Sequence, residues 1–190
     1  KSFKLSRYFS LDLYPSTHTS VVGDVIASPF KSKSFDLIVS FDVIQHVPNY
    51  SRMISEANRL LKSNGQIIIT FPFIYPECDV RDFRRWTIDG MKSLLNDNGF
   101  EIIFARRRGG FIFSFLCNVN WLIQHIFPGQ RKSWRSKKNF LSLFKNFIIF
   151  ILTFPIQIFG FIAIYFDKLF NMHGIYMGGF IVAKKKRNKT

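Results

Sequence analysis

Several polar residues in the first half of the chain stand where apolar runs end. Asp12 closes the run Tyr8–Leu13 but for one residue, Leu13, and Asp24 follows Val21-Val22-Gly23, ahead of Val25. Ser40 and Asp42 close Phe35–Phe41, with Gln45 and His46 directly beyond. In a doubly wound α/β sheet, ligands bind outside the carboxyl ends of the strands, so such residues face a common ligand edge. Carboxylates there accept hydrogen bonds from a ligand, and His46 is positioned to serve as a general base. The plainer alternatives are turn or N-cap carboxylates for Asp12 and Asp24, and a histidine that satisfies backbone groups for His46. Farther along, Tyr75, Asp82, Arg85 and Trp86 offer substrate-side contacts, or else an Asp–Arg pair bracing a loop under an aromatic lid. The four His and two Cys are scattered, without the spacing of a metal site, so no metal is expected.

The elements that must position these groups follow a regular rhythm. Short strands are expected over Tyr8–Leu13 and at Val21-Val22, and a strand buried on both faces over Phe35–Phe41. Met53, Ala57, Leu60 and Leu61 fall at helical spacing within Tyr50–Lys62, and Asn64-Gly65 is expected to close that helix. Gln66–Phe71 predicts the next buried strand, and Thr87–Asn98 a helix capped by Thr87 and ended by Asn98-Gly99. Strands follow at Phe100–Ala105 and Tyr176–Ala183. Alternation of this kind means βαβ units and a parallel, doubly wound sheet.

A chain of 190 residues has room for one ordinary α/β domain. Its net charge of +15 calls for an anionic partner, whether nucleic acid, lipid head groups or a phosphorylated substrate. The two cysteines are too few and too isolated for a disulfide framework, which points to a reducing cytosol.

The ordered series of motifs resembles class I S-adenosylmethionine-dependent methyltransferases of the type 11-like kind. It consists of Val22-Gly23-Asp24, Ser28-Pro29-Phe30, Ser34-Phe35-Asp36 and Asp42-Val43-Ile44-Gln45-His46-Val47, then Glu56–Lys62 with Asn64-Gly65. Phe71–Pro76 followed by Asp82–Thr87 is similar to a narrower group associated with polysaccharide biosynthesis, although Glu77-Cys78 stands where that group tends to have His-Glu. The resemblance covers roughly residues 8 to 110 and resumes at the terminal strand. It implies a Rossmann-like fold with S-adenosylmethionine as cofactor. Asp12, with Leu13, would hold the ribose; Asp24 and the Val25 N–H would read the adenine. Ser40 and Asp42 would pass beneath the methionine portion, His46 would be the catalytic base, and Gln45, Tyr75, Asp82, Arg85 and Trp86 would meet the substrate. The family's first strand and glycine-rich loop have no counterpart after Lys1, so the chain is expected to be cut from a longer protein.

The last third changes texture. Phe111–Phe127 is apolar and aromatic, Arg131–Lys138 is basic, and Phe147–Phe166 carries no charge and is long enough to cross a ~30 Å hydrocarbon layer. Because the terminal strand must rejoin the sheet, Pro155 and Gly160 predict two half-helices turning back, an in-plane or re-entrant anchor on the cytoplasmic face. A Phe-rich core helix or a dimer interface is the alternative. The expected organisation is thus a partial methyltransferase domain over 1–110, an apolar and basic helical insertion over 111–175 that is a candidate membrane anchor, and a last strand with a basic tail over 176–190. The expected function is methyl transfer to a polysaccharide precursor or lipid-linked glycan. A catalytically degenerate module for membrane or protein interaction is the second reading. Nucleic acid is disfavoured as partner, since the basic residues do not interleave with a stacking platform.

Overall fold

The computed structural model describes residues 8–77, 81–126 and 174–187, together with helical positions 148, 151, 153–156, 158–160, 162–163 and 165–167. Elements run β1 Leu11–Asp12, β2 Val21–Val22, β3 Phe35–Phe41, a 3-10 turn Ile44–His46, and α1 Tyr50–Leu60. Then come β4 Leu61–Pro72, α2 Ile88–Asp97, β5 Phe100–Arg108, α3 Phe111–Ile126 and β6 Gly178–Lys185. The helical positions within 148–167 are called α4. The basic run Arg131–Lys138 and Cys78 lie outside the described residues.

Two sheets are present among the described residues. β1 and β2 pair in parallel, and a four-stranded sheet has the order β3-β4-β6-β5 with β3 parallel to β4. β6 lies between β4 and β5, so those two sequence neighbours are not sheet neighbours, whereas β3–β4 and β5–β6 are adjacent in both sequence and sheet. The core of this sheet is Ile67, Ile69 and Phe71 of β4, Ile181 of β6 and Phe100 of β5, packed with Ile54 of α1 and Met91 and Leu95 of α2. Each such side chain removed from water contributes about 1.5–3 kcal/mol.

Local chemistry sets most boundaries where the residue types place them. Asn49 caps α1 by accepting from the Arg52 N–H at 3.1 Å. α2 closes on Asn98 and Gly99; the latter has φ 79°, which a glycine adopts without strain. The end of α1 differs from expectation. The helix stops at Leu60 rather than running to Lys62, and Lys62–Gly65 form an irregularity in β4 instead of a helical C-cap. Strand pairing jumps from Phe35↔Leu61 to Leu37↔Gln66, and Asn64 takes φ 64° within the bulge. Leu61 is fully buried as a strand residue, and the Lys185 ammonium satisfies the carbonyls of Asn58 (2.6 Å) and Leu61 (3.0 Å). A cation at a helix C-terminus does what the Asn-Gly pair was expected to do. Burial lowers the pKa of Lys185 from its ordinary value, with Lys33 adding to the effect.

The chain divides into two compact units. The first comprises residues up to Phe71, Ile88–Ala105 and Phe180 onward; the second comprises Pro72–Thr87 and Arg106–Gly179. In the second unit, the Phe73 and Ile74 N–H groups donate to Met177 and Tyr176, and the Met177 N–H donates to Arg108. The Phe73 and Tyr176 rings stack at 4.6 Å. Pro155 does not turn the chain: residues 153–156 are helical, Pro155 included. Among the described residues no helix is long and apolar enough to cross a membrane.

Candidate functional site

In the first unit, β1 ends on Asp12 opposite Val22 at the end of β2, and Asp24 follows two residues beyond. Gly23 donates to the Asp12 carbonyl at 2.9 Å, and a Cβ on Gly23 would stand 3.1 Å from Leu11 and 3.2 Å from Pro29, so the turn admits no side chain without displacement. Asp12 is exposed and Asp24 partly buried. One oxygen of each is tied locally: Asp12 Oδ1 accepts from Tyr14 N and Asp24 Oδ1 from Ile26 N, both at 3.0 Å. These Asx-type turns fix the carboxylates through Oδ1, so that among the described residues Oδ2 of each is the oxygen that would accept from a ligand. Leu13 is half exposed beside Asp12, and Val25 is partly buried beside Asp24.

The loop that follows Asp24 is clamped to α1. Glu56 Oε1 accepts from the Ser28 N–H (3.0 Å) and hydroxyl (2.8 Å), while Arg59 donates to both Glu56 oxygens at 2.7 and 2.8 Å. Arg59 also donates to the Phe30 carbonyl (2.9 Å) and Ser32 Oγ (2.9 Å). The Arg59 guanidinium, with help from Ser28, holds the Glu56 carboxyl down at about 2, against the opposing pull of burial.

At the end of β3, the Asp42 N–H donates to Thr70 O and Oγ1, and Asp42 takes φ 49°, a left-handed conformation uncommon outside glycine. Gln45 is 5% exposed, and its amide nitrogen sits 2.7 Å from Asp42 O and 3.2 Å from His46 Nε2. Gln45 therefore holds the Asp42–His46 turn from within. Two buried polar atoms here, Ser40 Oγ and Gln45 Oε1, have no hydrogen-bond partner. His46 is partly buried.

In the second unit, Arg85 grips Asp82 through both guanidinium nitrogens, one contact being 2.8 Å, and the Asp82 side chain is 2% exposed. The remaining Arg85 donors go to the carbonyls of Tyr75, Pro76 and Arg84. Asp82 and Arg85 thus brace the Tyr75–Pro76 loop. Trp86 is partly buried, and its backbone N–H donates to Pro72 O at 3.3 Å. Tyr75 lines a pocket of about 630 Å³ together with Phe73, Glu77, Asn118 and Trp121. Asn118 and Trp121 were not singled out from the sequence; the available signal was a polar and an aromatic residue three apart within an otherwise apolar run. Burial raises the Cys117 thiol on the same helix, which makes it a poor nucleophile. Among the described residues no cluster could hold a metal ion.

Solved structures share this fold. The fold is the Rossmann-like fold of the class I methyltransferases. Phosphoethanolamine N-methyltransferase 2 of Haemonchus contortus, solved with phosphomonomethylethanolamine and S-adenosylhomocysteine, superposes with a TM-score of 0.52 at 18% identity, covering 87% of this chain and 37% of that one. The cyclase SpnF superposes with a TM-score of 0.53 at 15% identity, covering 90% and 57%. One methyltransferase fold therefore hosts more than one chemistry, and reaction type must come from the site. Residues 6–69 match the family model of a methyltransferase domain. A ubiquinone/menaquinone biosynthesis C-methyltransferase of Ruegeria is 28% identical over 112 residues, 58% of this chain and 40% of that protein. The chain spans 40% or less of the length of the curated relatives it matches.

Proposed function

We propose that the chain carries out S-adenosylmethionine-dependent methyl transfer to a polysaccharide precursor or lipid-linked glycan at an anionic membrane surface. The observation that carries the cofactor reading is the pair Asp12 and Asp24. Both stand at or just beyond the carboxyl ends of adjacent parallel strands, and each is fixed through Oδ1. Asp12 would accept from the ribose hydroxyls, Asp24 from the adenine amino group, and the orphaned Ser40 hydroxyl offers a further polar contact. When bound, S-adenosylmethionine supplies an electrophilic methyl carbon on a sulfonium. His46 would take the proton of the acceptor hydroxyl, with Gln45 and the strained Asp42 backbone fixing its approach.

The acceptor reading is supported by the second unit's pocket, where the Phe73, Tyr75 and Trp121 rings can cover the C–H face of a sugar while Asn118 and Glu77 meet its hydroxyls. Calorimetric titration of the full chain with S-adenosylmethionine tests the cofactor assignment. Asp12→Ala and Asp24→Ala should each weaken binding by about tenfold, since a hydrogen bond to a charged group is worth about 1.5–3 kcal/mol. Unchanged affinity in both variants would remove the assignment. Absence of binding by the unaltered protein would favour the second reading, a module that docks without turnover, to which the exposed apolar helices of the second unit also lend support.

A further inference from the structure

The two helices of the second unit are packed inside out. In α4, Thr153, Gly160 and Ala163 are buried, whereas Ile151, Ile158, Phe159 and Ile162 are exposed, Phe159 to 60%. The exposed set recurs at i, i+7, i+8 and i+11, one stripe of the helix; the buried small residues fall on the opposite side. In α3, Ser114 is buried while Phe115 and Leu122, seven positions apart, are exposed. Gly160 packs beneath the Phe113 ring, where a Cβ would stand 3.8 Å away. Water favours the reverse arrangement, with large apolar residues inside. Small residues between helices and large ones outside suit an apolar solvent.

The path of the chain limits what that solvent can be. Asp167, at the end of α4, accepts from the backbone N–H groups of Ile112 (2.9 Å) and Phe113 (3.1 Å) at the start of α3. The excursion begun at Gly110 therefore returns to its origin, and Tyr176 and Met177 then rejoin the sheet. A single crossing is ruled out by this closure. Charge narrows the choice further. Between Glu101 and Asp167 there is no acidic residue, while nine Lys and Arg occur, six of them in sequence between α3 and α4. A second copy would bring the same uncompensated positive charge, whereas an anionic surface would balance it. An anionic lipid surface offers acyl chains to the apolar stripe and a charge opposite to the net charge of this stretch of sequence.

We infer that the α3–α4 excursion is a lipid-docking hairpin whose exposed stripe, centred on Ile158, Phe159 and Ile162, lies in the interface of an anionic bilayer. This deepens the membrane placement proposed above, and its readout needs neither cofactor nor acceptor, so it fails or stands apart from methyl transfer. The full chain is mixed with vesicles of phosphatidylcholine alone and of phosphatidylcholine with phosphatidylglycerol, then sedimented. Binding is expected to the mixed vesicles, to survive high salt in part, and to fall by roughly tenfold or more in Ile158→Ser/Phe159→Ser/Ile162→Ser. Circular dichroism should show that this variant keeps its fold, because the three residues contribute little to the interior. Unchanged vesicle binding in the folded triple variant would overturn the proposal. So would an unaltered protein that ignores both kinds of vesicle, or a dimer that the same variant dissociates in sedimentation velocity.

Discussion

Glu56 Oε1 accepts hydrogen bonds from both the backbone N–H and the hydroxyl of Ser28, 28 positions earlier in the chain. Arg59 completes the clamp from the next turn of α1. The loop leaving Asp24 is thereby attached to a helix rather than to its own neighbours, which is how an otherwise exposed turn can present Asp24 in one position.

This clamp should show in acid. The Glu56 carboxyl lies at about 2 in the folded protein against 4.5 ordinarily. A folded value below the unfolded one means that the contribution is complete above about pH 4.5 and is lost as the pH falls toward about 2. Because Arg59 is partly exposed, solvent screening discounts it to about 1–2 kcal/mol. Glu56→Gln should lose that much at neutral pH and flatten the acid limb of the stability curve, measured by urea unfolding across pH.

A second test concerns Gly110 and Asp167. A Cβ on Gly110 would meet the Asp167 carboxyl carbon at 2.3 Å. Gly110→Ala should therefore expel the carboxylate and cost the about 1–3 kcal/mol typical of overpacking. Asp167→Ala only uncaps α3 and should cost about 1 kcal/mol. Hydrogen exchange should report both losses first at the Ile112 and Phe113 amides.

The brace in the second unit makes a sharper prediction. Arg85→Ala removes from the Asp82 carboxylate a charged donor that reaches both of its oxygens, a loss of about 1.5–3 kcal/mol. Arg85→Lys keeps the charge but not the fork that reaches Asp82, Tyr75 and Pro76 together, so it should rescue only part. Limited proteolysis near Tyr75 would read the loosening.

For His46, the expected signature is kinetic. His46→Gln should lower kcat by roughly 10²–10⁴-fold, as removal of a general base does, while calorimetric affinity for S-adenosylmethionine stays unchanged. A parallel fall in affinity and kcat would mean that the ring only props the Asp42–His46 turn.

What the sequence by itself determined is the order and kind of the elements and which polar residues stand at the ends of strands. Gln66–Phe71 read as a buried strand because burial on both faces leaves an uninterrupted apolar run in the local composition. Phe35–Phe41 read the same way, but it borders only β4 in the described sheet, and Val39 and Phe41 are exposed with Ser40 alone buried. Asp12 and Asp24 were legible because a strand end is a local event. Tertiary structure alone decided which polar groups are consumed internally. Nothing near Gln45 in sequence says that its amide turns inward, and nothing beside Asp82 says that Arg85 spends its remaining donors on Tyr75 and Pro76. The end of α1 was misjudged for the same reason: its carbonyls are satisfied by Lys185, 124 positions beyond Leu61. The apolar stretch near the C-terminus shows the limit most plainly. Composition marks it as hydrophobic all round, but which face is buried depends on the partner; among the described residues the buried face carries Thr153, Gly160 and Ala163, with Gly160 against the Phe113 ring. Local propensity fixes what a segment can be; contacts between distant residues fix which of its groups remain free to act.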